Sequence, residues 1–491
     1  MGKRSVLFTH SYLLKLDPKQ EEWQKPYPPL MTIQAAAMVR QIGYQVEFFD
    51  AMFAGPEDII AALQNSIPDY LVIFDDGFNY LTKMCLTNMR EAAWTMAKAA
   101  HKLGVTVIMC GSDATDHWQD YLNHGVDYVL MGEGEMTLLA LLQSIDHQGD
   151  LQEISGLAYR QNDHFQLNSK RAVMQDLDAL PLPAWDLIDF TPYRRAWTSK
   201  WGYYSVNIAT TRGCPYKCNW CAKPIYGNSY KMRSPEHVVR EVQWLTANVE
   251  FDHLWFCDDI FGLKRSWVLE FAELVQKAGL KLNYKIQSRA DLLVKDQYVE
   301  ALKASGCDEV WMGVESGAQE ILDAMDKGIT IEQIRVATQK LKANGIKPCF
   351  FIQFGYLNET AEHIRQTIAL IKELLPHDIG ISVSYPLPGT KFFEMVKNDL
   401  PIKANWTDSD DLDLMFKNTY SSAFYRQLHH FVHQEFRRKH AQVQLKALLR
   451  NPVQFKWERL KMSLSLFYYT PTSYLAKRQL KAIDHEAAAI L

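Results

Sequence analysis

The chain has 491 residues, 47% of them hydrophobic, and a formal net charge of −4. That length allows roughly two to four domains with sizeable cores. No apolar run reaches the roughly 18 residues a membrane span needs, and no apolar signal segment precedes the first strand pattern, so a cytoplasmic protein is expected. Five of the eight cysteines (Cys85, Cys110, Cys257, Cys307 and Cys349) are scattered singly, which suits a reducing compartment and argues against a disulfide scaffold.

Through residues 1–150, β-rich runs alternate with helical patterns. SVLFTH is followed by TIQAAAMVRQIG, YQVEFFDA by PEDIIAALQNSI, and DYLVIFDD by a long helix ending near Gly104. VTVIMCG, VDYVLMGEGE and EMTLLALLQSI complete the set. This alternation predicts an α/β fold with a doubly wound, Rossmann-like parallel sheet. Ligands of such sheets lie at the carboxyl ends of the strands. Three loops fall there: Thr9–Met31, Gly111–Thr115 (with Ser112) and the Gly132, Glu133, Gly134, Glu135 run. The first strand is followed by FTHSYLLKLD, with no G-x-G-x-x-G, so a dinucleotide site is not expected. Residues 151–200 read as a β-hairpin, ISGLAYRQNDHFQLNSKR, and a Pro-spaced linker with aromatic anchors.

Next comes TRGCPYKCNWC, placing Cys214, Cys218 and Cys221 at spacing C-x3-C-x2-C on a loop leaving the strand SVNIATT. Thiolates bind iron–sulfur clusters, and a four-iron cubane held wholly by protein takes four of them. Three leave one iron open to bind and activate a small molecule. A structural zinc site would show a second close pair of ligands, and none follows. Zinc and unrelated thiols remain the alternatives to a cluster.

Over residues 201–400 the alternation resumes with longer helices, and its six strand patterns end in DIGISVSYP. A partial (β/α)6 barrel is predicted, with chemistry at the carboxyl ends of its strands. Polar residues gather at those ends: Asp258, Asp259, Gln287, Arg289, Glu315, Ser316, Gln353, Ser384 and Tyr385. Each also has a plain structural reading, such as capping by the acidic pair or pairing of Arg289 with Asp291. Residues 401–491 form a mainly helical, basic region. From Lys417 to Lys481 there are thirteen Lys/Arg against two Glu, a net +11, against −15 for the remainder. No nucleic-acid-binding motif accompanies that charge, and nucleic acid is not expected. The choices are a solvated helical cap, an anionic-substrate site or a peripheral membrane contact.

The cysteine triad, including Trp220 before its last member, resembles the signature of the radical S-adenosylmethionine (SAM) enzymes. The segment ahead of it resembles the cobalamin-binding domain of many of them, through PYPPL, GSDAT and VDYVLMGEGE. Together they are similar to the family that includes cobalamin-dependent methyltransferases and the anaerobic magnesium-protoporphyrin monomethyl ester cyclase group. The likeness covers residues 1 to about 400.

It implies a 4Fe-4S cluster on the three cysteines, with SAM and cobalamin as further cofactors. Trp220, Gln287, Arg289, Gly313, Glu315, Ser316 and Gln353 would lie on the SAM side. Gly111, Ser112, Gly132, Glu133, Gly134 and His10 would lie on the cobalamin side. Asp258, Asp259 and Tyr385 are the catalytic candidates. Members whose histidine ligates cobalt carry D-x-H-x-x-G; here His10 has neither the Asp nor the Gly, so cobalamin without a protein histidine on cobalt is expected. FGYLNET departs from the usual Gly-x-Pro-Gly-Glu-Thr turn at Leu357 and Asn358. The implied activity is methylation of an unactivated carbon in a small-molecule or lipid substrate, with a one-electron reductant such as flavodoxin or ferredoxin. The alternatives are a radical SAM oxidative cyclase or rearrangement enzyme, and a non-catalytic cobalamin or redox sensor.

Overall fold

The computed structural model describes residues 4–450 and 457–487, apart from residues 222, 224, 401–404 and 486. Two sheets organise it. The first holds β1 (Ser5–Thr9), β2 (Gln45–Phe48), β3 (Tyr70–Phe74), β4 (Thr106–Cys110) and β5 (Tyr128–Leu130), all parallel. The hairpin after them, β6 (Leu157–Gln161) and β7 (His164–Leu167), continues this sheet antiparallel along β5. The order is 2-1-3-4-5-6-7, so the chain reverses direction across the sheet between β1 and β3. Helices α1 (Leu30–Gln41) and α4 (Glu135–His147) pack one face, and α2 (Ile59–Ser66) and α3 (Thr87–Lys102) the other, which makes the sheet doubly wound.

The second sheet contains β8 (Ser205–Ile208), β11 (His253–Phe256), β12 (Tyr284–Ser288), β13 (Cys307–Glu315), β14 (Lys347–Phe354) and β15 (Asp378–Val383). All six are parallel in the order 15-14-13-12-11-8, an open half-barrel. A two-stranded ribbon, β9 (Thr211–Arg212) with β10 (Lys231–Met232), stands at its mouth. Amphipathic helices α5 (Pro235–Asn248), α6 (Arg265–Lys277), α7 (Tyr298–Ala304), α8 (Ile331–Ala343) and α9 (Ala361–Leu374) return the chain between strands. Capping boxes at Thr330 and Thr360 fix where α8 and α9 begin. The C-terminal region is helical: α10 (Ser422–Arg450), α11 (Trp457–Leu464) and α12 (Leu466–Ile483), with α12 packed along α10.

The long loop after β1 belongs physically to the half-barrel. Tyr27 lies between Trp197 and Trp255, with ring centroids at 5.2 and 4.7 Å, and its hydroxyl donates to Ser205 Oγ at 3.2 Å. Trp197 Nε1 donates to the carbonyl of Pro26, and Asn207 Nδ2 to that of Pro28. The PYPPL segment therefore fills the amino-terminal half of the second sheet's concavity.

Glu359 in the YLNET turn is wholly buried, and one of its oxygens accepts the Gly355 N–H at 2.7 Å. Burial pushes its carboxyl up from 4.5 to about 8, the hydrogen bond offsetting only part. A folded pKa above the unfolded one means stability that is full below 4.5 and lost as pH rises through 8. Between pH 6 and 8 the wild-type apo chain should lose about 2 kcal/mol relative to Glu359→Gln. Urea unfolding of both proteins at the two pH values measures this.

Candidate active site

The cysteine loop springs from the mouth of the half-barrel. Beyond β8, the backbone N–H groups of Thr210 and Thr211 each donate to Asp258 at 2.7 Å, and both threonine hydroxyls donate to the same carboxylate. Asp258 is fully buried, and burial raises it to about 6 although four hydrogen bonds pull the other way. It clamps the loop's root. Gly213 has φ +79°, and a Cβ there would stand 2.4 Å from the carbonyl oxygen of Ser229, so only glycine fits before Cys214.

Cys214, Cys218 and Cys221 are half-buried free thiols. Burial raises the thiol of Cys214, and that of Cys221 to about 12. Metal binding would deprotonate them regardless, because the metal ligand is the thiolate. Lys223 Nζ donates to the Cys214 carbonyl at 3.1 Å, and an Arg289 nitrogen lies 4.0 Å from Cys218 Sγ. Two cations flank the sulfurs, which suits an anionic cluster. Among the described residues no three His, Cys, Asp or Glu side chains gather closely enough to hold one metal ion. A cubane spreads its thiolates over separate corners, and three thiols on one loop beside cations fit that demand.

The far side of the loop is anchored by Asn219. Its N–H donates to Met325 O, its amide donates to Ala324 O at 2.7 Å, and its Oδ1 accepts from Tyr356 at 2.9 Å. Trp220 next to it has a buried Nε1 without a protein partner. Lys327 Nζ lies 6.0 Å from the Trp220 ring and 2.7 Å from Glu315 Oε1. Glu315 has φ +61° at a bulge in β13, close beside Gly313. Arg289 caps this corner: its guanidinium lies 3.6 Å over the Tyr216 ring, 2.9 Å from Asp291 and 2.8 Å from Lys327 O. The structure thus brings Trp220, Arg289, Gly313 and Glu315 together at the cysteine loop, with Arg289 and Glu315 already paired to Asp291 and Lys327.

Other expected residues are placed as follows. The Ser316 hydroxyl lies 3.2 Å from that of Thr367 and accepts the Ala318 N–H. Among the described residues, Gln353 Oε1 and the Ser384 hydroxyl are buried without a partner. Gln287, the next-to-last residue of β12, is half-buried, its carbonyl accepting from Phe261 N. Asp259 meets Lys83, from the first sheet's side, at 2.6 Å. Tyr385 stacks on Trp406 at 4.2 Å, and its hydroxyl accepts the Trp406 N–H and donates to Met84 O.

At the first sheet, Thr9 and Ser112 present buried hydroxyls without partners at the carboxyl ends of β1 and β4. Gly111 abuts Asp75, which burial raises to about 6. Gly134 packs so tightly on Cys110 that a Cβ would lie 2.2 Å from its sulfur. His10 is buried and tied up: its Nε2 lies 3.1 Å from Asp50, which also accepts from Tyr193. Glu133 is engaged by Arg212 at 2.6 Å and by the N–H of Met174.

Arg212, two residues before Cys214, spans the two sheets, since its other nitrogen pairs with the buried Glu135 at 2.8 Å. Past the last cysteine, Ile225 and Tyr226 enter the first sheet's core, the Tyr226 hydroxyl donating to Met31 Sδ. Ile225 faces Gly77 and its carbonyl faces Gly132. Sequence reading missed Arg212, Lys83, Asn219, Lys327 and this Ile–Tyr anchor. The loop carrying the thiols is therefore held between both sheets.

Three free thiols thus stand on the loop after the first strand of an open parallel half-barrel. Residues 208–371 match the radical SAM superfamily. The chain is 27% identical over 396 residues to an uncharacterized methyltransferase of Pyrococcus horikoshii, covering 79% of this chain and 83% of that one. It is 28% identical over 275 residues to an anaerobic magnesium-protoporphyrin IX monomethyl ester cyclase of Rubrivivax gelatinosus, covering 55% of this chain and 49% of that protein. In structure it resembles the cobalamin-dependent SAM radical enzyme OxsB solved with aqua-cobalamin and SAM. The TM-score is 0.74 at 17% identity, over 99% of this chain and 74% of that one. That likeness extends to the whole fold, the first sheet included.

Proposed function

We propose that the chain is a cobalamin-dependent radical SAM methyltransferase acting on an unactivated carbon of a small-molecule or lipid substrate. The observation that carries this reading is the cysteine loop held by Arg212, Ile225 and Tyr226 against the carboxyl edge of a doubly wound sheet. Such an edge is where an α/β sheet binds its ligand. When bound, the cluster with SAM supplies a carbon-centred radical and the corrinoid a methyl group, chemistry that belongs to the cofactors.

The chain's own residues hold, orient and exclude. Cys214, Cys218 and Cys221 hold the cluster, with Lys223 and Arg289 balancing its charge. Arg289, Glu315 and Gln353 receive SAM, the first two by exchanging their present partners. The unpartnered hydroxyls of Thr9 and Ser112 receive polar groups of the corrinoid. His10 is engaged by Asp50 and would not be among the residues that hold the corrinoid. Asp258 positions the loop root, while Asp259, Lys83 and Tyr385 border the space where substrate would lie. A flavodoxin- or ferredoxin-type donor provides the electron.

Protein from a cobalamin-replete host should carry extractable corrinoid. Supplied with SAM bearing a deuterated methyl group, a reductant and cell extract, it should yield a product carrying the label. Each labelled product should be matched by one S-adenosylhomocysteine and one 5′-deoxyadenosine. Formation of 5′-deoxyadenosine with an oxidised or cyclised product and no label would instead establish the cyclase reading, which the R. gelatinosus relative favours.

A further inference from the structure

The C-terminal helices carry a surface that neither sheet uses. On α12, Ser473, Ala476 and Leu480 face inward and are buried. The opposite face is apolar as well, with Phe467 81% exposed, Tyr474 68% and Leu475 53%, and Tyr468 beside them. These residues fall at i, i+7 and i+8, one helical stripe, which Arg478 and Lys481 extend as exposed cations toward the helix end. The preceding α11 presents Trp457 and Leu464 outward, with Lys461 Nζ 5.8 Å from the Trp457 ring. The last turns of α10 add exposed Leu449, Lys446 and Arg450.

A soluble surface rarely leaves so many large apolar side chains together without a partner. Their neighbours decide which partner fits. From Val443 to Ile483 the sequence holds eight Lys/Arg and a single acidic residue, Glu458. Aromatic rings flanked by cations, with almost no acid, match the headgroup boundary of an anionic bilayer: rings lie at the interface and cations meet lipid phosphates. Among the described residues no helix is long and apolar enough to cross a membrane, so the contact would lie in the plane of the surface.

We propose that α11 and α12 dock the protein on anionic membrane, with Trp457, Leu464, Phe467, Tyr468, Tyr474 and Leu475 entering the headgroup boundary. The test is sedimentation of the full chain with phosphatidylcholine vesicles, with and without phosphatidylglycerol. Pelleting is expected with the anionic vesicles, reduced by high salt because cations contribute. The triple variant F467E/Y474E/L475E should bind at least about tenfold more weakly, since each ring or Leu removed from the boundary forfeits apolar burial. Its circular dichroism and melting should be unchanged, because the three side chains are exposed. Pelleting of neither vesicle, or equal pelleting of variant and wild type, would overturn the proposal. So would light scattering that shows a wild-type dimer and a monomeric variant without vesicle binding, which would make this face a self-association surface.

Discussion

Replacing any one of Cys214, Cys218 or Cys221 by alanine is expected to abolish reductive cleavage of SAM and to strip most iron and sulfide from the reconstituted protein. The three thiols share one loop whose root is clamped by Asp258 and whose far side is pinned by Asn219, so a missing sulfur cannot be replaced from elsewhere. The other five cysteines are buried in the packed interior. Cys85→Ala and Cys349→Ala should cost only about 1 kcal/mol of stability and leave iron content and 5′-deoxyadenosine formation intact. Iron and sulfide assays, the visible spectrum and product chromatography read all five variants in one series. Zinc in the wild-type site, with negligible iron, would refute the cluster assignment.

The largest effect on folding is expected at Arg212. Its guanidinium is buried between Glu133, from the turn after β5, and Glu135, the first residue of α4. Arg212→Ala leaves two carboxylates facing apolar surroundings, and breaking a buried pair in this way costs roughly 3–5 kcal/mol. Glu135→Gln should be far milder. Burial pushes that carboxyl up against the pull of Arg212, so removing its charge relieves a desolvation cost that offsets part of the lost pairing. Denaturant midpoints of the two single variants and of R212M/E135Q test the ordering. The double variant should regain part of the loss, because it removes the cation and one anion together.

Local pattern carried much of this. The cysteine spacing needs only eight consecutive residues, and most parallel strands read as short β-branched or aromatic runs between helical periods. The five parallel strands of the first sheet and the six of the half-barrel were legible on that basis. Strand order was not, because pairing of β1 with β3 rather than in sequence depends on contacts 64 residues apart. The hairpin's continuation along β5 was hidden for the same reason. Site partners were harder still. Glu133 reads as a loop acid with backbone freedom beside it, and nothing local says that its partner lies 79 residues later. His10 lacked its motif neighbours in sequence, yet only the fold shows that Asp50, itself held by Tyr193, engages it. In the C-terminal region the helices and their basic charge were legible, but the outward apolar stripe of α12 was not, because which face turns outward depends on α10 packing against the other.

The PYPPL segment bears on how such a chain can be recombined. Tyr27, Pro26 and Pro28 precede the first long helix in sequence, yet they fill the concavity framed by Trp255, Ser205 and Asn207. Exchanging the first 150 residues for those of a relative would therefore transplant part of the half-barrel's interior along with the sheet. Only a donor whose loop supplies an aromatic residue of matching depth would be accepted. Gene fusions and swaps between such proteins should consequently keep residues 26–28 matched to the half-barrel they fill.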